Sequence, residues 1–101
     1  MNRSRPSAAV ERHRQEIRDI VRRHNGLNPR IFGSVARGED TEASDLDLLV
    51  DHGPERSMSL FDLAAIDVEI AGLLAVPVQV VTPASLPPKV RAAAERDAVP
   101  L

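Results

Sequence analysis

The stretch Ile31-Phe32-Gly33-Ser34-Val35-Ala36-Arg37-Gly38, followed after five residues by Ser44-Asp45-Leu46-Asp47-Leu48-Leu49-Val50, decides how the rest of the chain is read. Ile31-Phe32 is a short apolar run that ends directly in Gly33-Ser34. Asp45 to Asp51 alternates with period two over most of its length, the signature of a half-buried strand. Leu46, Leu48 and Val50 then face one way, and Asp45, Asp47 and Asp51 share the other face with Leu49. Carboxylates two apart on a strand project from one face about 6.6 Å apart along the chain, so both can converge on one site. A hard divalent cation such as Mg²⁺ takes one or two carboxylates and completes its shell with phosphates and water. That combination suits phosphoryl or nucleotidyl transfer. The same pair also reads as the solvated face of a strand, although Asp is depleted in strands and adjacent carboxylates repel without a cation. Gly33 lets backbone approach a ligand closely, and Ser34 adds an N–H and a hydroxyl that can donate to phosphate oxygens. Gly-Ser occurs in any tight turn; what separates this one is the carboxylate pair that follows at a fixed distance.

Outward from this centre the chain alternates elements. Pro6 and Ser7 offer a helix start, Val10, Ile17, Ile20 and Val21 recur on one helical stripe, and Gly26 is a candidate stop. Arg12, Arg14, Arg18, Arg22 and Arg23 occupy the other faces, as a solvated surface or as contacts to a partner or nucleic acid. After the turn His52-Gly53-Pro54, Ser59 and Asp62 have capping-box spacing ahead of a second long helix whose core stripe is Leu63, Ile66, Ile70, Leu73 and Leu74. Val76 to Thr82 is β-branched and predicts a third strand entered through Pro77. Pro83 begins a turn and Pro88 opens a last helix from Lys89 to about Asp97. The order helix, strand, strand, helix, strand, helix predicts a small α/β (α+β) fold, a mixed β-sheet of at least three strands covered by helices.

The 101 residues amount to one domain spanning 1–101. Two Phe, no Tyr and no Trp leave the core to Leu, Ile, Val and Ala and remove the stacking platforms of single-strand nucleic-acid binders. The absence of Cys excludes disulfides, thiolate metal sites and a Cys nucleophile, and fits a reducing, cytoplasmic setting. No apolar run approaches the ~20 residues of a membrane span. The net charge of −2 hides a segregation. Residues 1–30 carry eight Arg against three carboxylates, a balance of +5, whereas residues 39–69 carry ten carboxylates against Arg56 alone, a balance of −9. Like charge concentrated this way costs stability unless a cation or a basic partner answers it. His13, His24 and His52 have no metal-ligand spacing and read as surface or packing residues.

The two quoted segments resemble the nucleotidyltransferase superfamily of DNA polymerase β, in particular the minimal nucleotidyltransferases, over roughly residues 28–86. A Walker or kinase Gly-rich loop would need more Gly and a placed Lys, and the only Lys is Lys89. The resemblance implies the nucleotidyltransferase fold, with Gly33 and Ser34 holding nucleotide phosphates, Asp45 and Asp47 as catalytic metal ligands for Mg²⁺, ATP as substrate, and Arg37 at a position that is commonly basic. The family's third carboxylate comes from a later strand, and Gln79 stands at that place. Gln can ligate through its carbonyl oxygen but brings no charge and cannot act as a general base. Asp51, Asp67 and Glu69 are the substitutes the sequence offers, Asp51 lying about 13 Å further along its strand than Asp47.

Minimal members of this family act as antitoxins to small helical ribonuclease toxins of the HEPN class. The resemblance therefore implies transfer of AMP from ATP to a toxin Tyr or, as the alternative that Gln79 raises, neutralisation by binding alone. With no Tyr in the chain, a Tyr acceptor has to lie on the partner. DNA contact through the Arg-rich first helix is expected only as part of a complex with that partner. An antibiotic-modifying role would require a substrate domain that this length does not provide.

Overall fold

A computed structural model describes residues 5–54 and 58–101. The carboxylate strand is its axis. β2 (Leu46–His52) lies in the interior of a four-stranded sheet of order β3-β2-β1-β4. Its neighbours are β1 (Gly26–Phe32), antiparallel, and β3 (Val78–Val81), parallel. β4 (Val99–Pro100) adds a short antiparallel outer strand to β1. Leu46, Leu48 and Val50 are fully buried in the main apolar cluster, with Ile17, Ile20 and Val21 from α2 (Arg14–Arg23) and Ile66, Ile70 and Leu74 from α4 (Leu60–Leu74). Strand alternation turns Asp47 and Asp51 to the opposite face. There α5 (Pro88–Asp97) packs against β1, and Leu49 and Ala94 are buried outside the main cluster.

The first helical stretch differs from its expectation. It is two helices, α1 (Pro6–Arg12) and α2, broken at His13, whose φ of −128° leaves the helical region. Val10 and Ile17 lie seven residues apart and remain in phase across the break, so the apolar periodicity carries no trace of it. Gly26 is not the helix stop. α2 ends at Arg23, and Asn25 takes the left-handed turn with φ 68°. Gly26 opens β1, where a Cβ would sit 2.6 Å from Val21 Cγ1. β1 also begins earlier than Ile31, because a register shift between Leu27 and Arg30 absorbs Asn28 and Pro29 as an irregularity in the strand.

Other expectations hold. Ser59 and Asp62 form a reciprocal capping box on α4, with Ser59 Oγ accepting from the Asp62 N–H at 3.1 Å. Pro83–Ser85 is a turn of 3₁₀ helix, and α5 opens at Pro88. Among the described residues no helix is long and apolar enough to cross a membrane.

One buried charge ties the amino-terminal layer to the loop ahead of β2. Asp40, 4% exposed, accepts a hydrogen bond at 2.9 Å from the Ser7 N–H in the first turn of α1. It thereby caps from 33 residues away a helix that has no side-chain cap of its own. Asp40→Ala is expected to lower unfolding free energy by about 1–2 kcal/mol, read from urea denaturation.

Candidate active site

The site is built where β1 ends against β2. Phe32 is the cross-strand partner of Asp47, and the next residue, Gly33, turns the chain with φ 71° into the single-turn helix α3 (Gly33–Ala36). A Cβ on Gly33 would lie 2.5 Å from Asp47 Oδ2. Glycine is thus required twice, for the left-handed backbone and for the carboxylate beside it. Ser34 sits in the first turn of α3, where backbone N–H groups have no intrahelical acceptor. The chain then closes on itself: the Arg37 N–H donates to Gly33 O at 3.1 Å and the Glu39 N–H to Ser34 O at 2.9 Å. The Thr41 N–H donates to Ser44 Oγ at 2.8 Å. These bonds fix the approach to Asp45, which is exposed and immediately precedes β2 rather than belonging to it.

The electrostatics of the pair differ from those of neighbouring carboxylates. Burial, and then the charge of Asp45, push the Asp47 carboxyl above its ordinary range, partly offset by Arg37. Asp51, on the same face, behaves oppositely. Arg30 donates to it twice, at 2.9 and 3.1 Å, and Asn28 once at 3.3 Å, holding its carboxyl below the usual range. Asp51 is therefore committed to a structural ion pair. Glu69 is bound to Arg23 and His24, and it shares α4 with Asp67 on the other side of the sheet from the Asp47 side chain. None of the three therefore stands as a free carboxylate beside Asp47.

Gln79 is paired with Asp47 in the parallel register, so the residue in place of a third carboxylate lies on the same face, beside the site, and is exposed. Arg37 is held by Glu39 at 3.0 Å and by Asp97 of α5 at 2.8 Å. His13, His24 and His52 each bond elsewhere, to Glu16, Glu69 and the Gly53 carbonyl. No cluster of three or more metal-ligating His, Cys, Asp or Glu side chains occurs among the described residues. The donor set at Asp45 and Asp47 is thus two carboxylates, one half-buried and repelled by the other. A cation relieves that repulsion, and the set fits Mg²⁺ that shares its remaining shell with phosphate and water. The Arg30–Asp51 pair and Asp40 escaped sequence reading because their partners lie 21 and 33 residues away.

Two substitutions test this geometry. Gly33→Ala should destabilise by more than about 1 kcal/mol, since alanine meets both positive φ and the Asp47 oxygen. Asp47→Asn should instead stabilise the metal-free protein at neutral pH. The native pKa of Asp47 lies above its unfolded value of about 3.9, so the ionised carboxylate subtracts stability above the native pKa. That loss fades as pH falls towards the unfolded value. Urea melts from acid to neutral pH should show the advantage of the variant shrinking on acidification.

Comparison with known proteins identifies the family of the chain. The profile of the family described as "Nucleotidyltransferase domain" matches residues 12–101. A Methanocaldococcus jannaschii protein named "putative protein adenylyltransferase" is 37% identical over 75 residues, covering 74% of this chain and 78% of that one. A solved "putative minimal nucleotidyltransferase" superposes with TM-score 0.81 at 39% identity, over 94% of this chain and 95% of that one. A toxin–antitoxin structure with AMP-PNP shares the fold at TM-score 0.71 and 14% identity, covering 94% of this chain and 71% of that one. The chain with Gly33-Ser34 at one strand end and Asp45 and Asp47 at the next belongs to the nucleotidyltransferase domain family.

Proposed function

We propose that the protein is an antitoxin that transfers AMP from ATP, in a Mg²⁺-dependent reaction, to a partner ribonuclease toxin of the HEPN type. The observation that carries the reading is Asp47 against Gly33, with the charge of Asp45 acting on it: two carboxylates without donors among the described residues, beside a glycine that leaves room for nothing larger. Asp45 and Asp47 would hold Mg²⁺, which when bound neutralises charge on the triphosphate and the leaving pyrophosphate. Gly33 and the first turn of α3 would seat phosphate oxygens through backbone N–H groups and the Ser34 hydroxyl. Arg37, between Glu39 and Asp97, would add positive charge at the mouth. The adenylyltransferase name of a relative and the AMP-PNP of a toxin–antitoxin structure with this fold support the choice of nucleotide and partner. A Tyr acceptor would lie on the partner, because this chain has no Tyr.

Gln79 favours a second reading, an antitoxin that neutralises by contact alone. It stands beside Asp47 without the charge or basicity needed to take a proton from an acceptor hydroxyl.

Incubation with labelled ATP, Mg²⁺ and the toxin encoded next to this protein separates the readings. The first expects label on the toxin, lost when Mg²⁺ is chelated. Asp45→Asn with Asp47→Asn should reduce it by roughly 10²–10³-fold, corresponding to several kcal/mol of metal stabilisation. Neutralisation by the wild type without label transfer would establish the second. Loss of neutralisation in the double variant, with the complex intact, would eliminate it.

A further inference from the structure

α4 is apolar on both faces. Its inner face supplies Ile66, Ile70 and Leu74 to the core. Its outer face presents Phe61, Ala64, Val68, Gly72 and the capping residue Ala75 at successive spacings of three and four, all exposed. Phe61 is 87% exposed, Leu60 beside it 82%, and Val68, at the centre of the stripe, 71%. A surface helix ordinarily turns charge outward, and a helix apolar all round is ordinarily covered. The charges of α4 are Asp62, Asp67 and Glu69, and it carries no Lys or Arg. Asp62 is spent on the cap and Glu69 on Arg23 and His24, whereas Asp67 beside Val68 has no hydrogen bond or ion pair among the described residues.

We propose that this outer face docks an amphipathic helix of a different protein, one whose apolar stripe is flanked by a Lys or Arg that meets Asp67. The charge pattern selects that occupant over the alternatives. A second copy would bury the same stripe by antiparallel self-pairing. The two-fold axis would then pass through the midpoint of residues 61–75, which is Val68, and bring Asp67 against its own counterpart. An anionic membrane surface attracts helices whose polar border is basic, and the border here is acidic. A cation-flanked helix gains the apolar burial and answers the unpaired carboxylate at once. The surface lies on the opposite side of the sheet from the Asp47 side chain, so it leaves the metal pair open, and the proposal stands independently of AMP transfer.

The probes are two labelled synthetic helical peptides of α4's length with the same Leu/Ala stripe, one flanked by Lys and Arg and the other by Glu. Binding is followed by fluorescence anisotropy alongside light scattering of the protein alone. The basic peptide should bind the wild type at least ~10-fold more tightly than the acidic one. Val68→Glu and, separately, Phe61→Ser should each weaken it by ~10-fold or more while thermal unfolding stays unchanged. Asp67→Lys should reverse the preference between peptides, and Asp45→Asn should leave it alone. Equal affinities, no binding of the basic peptide, indifference to Val68→Glu, or a wild-type dimer that Val68→Glu dissociates would each overturn the proposal.

Discussion

Gly33 passes so close to the Asp47 carboxylate that no side chain fits between them, and the site's design descends from that contact. It forces a glycine in left-handed conformation at the end of β1, which turns the chain into α3, whose first N–H groups have no intrahelical acceptor. It also requires β1 and β2 to be antiparallel neighbours in one register, with Phe32 opposite Asp47. A one-residue slip would turn Asp47 into the core and Leu48 onto the site. The fully buried Leu46, Leu48 and Val50 make that slip prohibitive, so the apolar face of β2 enforces the placement of its polar face.

The acidic stretch from residue 39 to 69 resolves into separate duties. Asp40 caps α1, Asp62 caps α4, Glu39 binds Arg37, Asp51 is clamped by Arg30, and Glu69 meets Arg23 and His24. Helix ends, arginines and His24 answer half of these ten carboxylates within the chain. Asp45 and Asp47 stand apart because no donor among the described residues serves them, and Asp67 because it borders an uncovered apolar face. Glu55 and Arg56 lie outside the described residues. Several arginines of the amino-terminal segment also do tertiary work. Arg14 and Arg18 donate to the carbonyls of Pro100 and Leu101, and Arg23 to Glu69.

What the chain discloses locally was legible in its sequence: the alternation of β2, the capping box of α4, the core stripes of α2 and α4, and Gly33-Ser34 ahead of Asp45 and Asp47. Each is written in a periodicity or a short spacing. What depends on contact between distant residues was not. The break at His13 is silent because Val10 and Ile17 remain in phase. β4 is two residues long and exists only because β1 offers it an edge, with the Leu101 N–H reaching the Pro29 carbonyl at 3.0 Å. Asp51 looked like a third member of the acidic face until Arg30, on the neighbouring strand, claimed it. Gln79 is a mixed case: the family resemblance singled it out, and the parallel register set it beside Asp47.

The bond from the Ser7 amide to Asp40 joins a segment that normally frays to one that must not move. A seven-residue helix opens readily on its own. Here its first turn cannot open without stranding a buried carboxylate, and that carboxylate sits five residues ahead of Asp45 on the loop that delivers it. Opening of α1 and loosening of the loop that carries Asp45 therefore belong to one cooperative unit. Slow exchange of the Ser7 amide with solvent deuterium would be its visible sign.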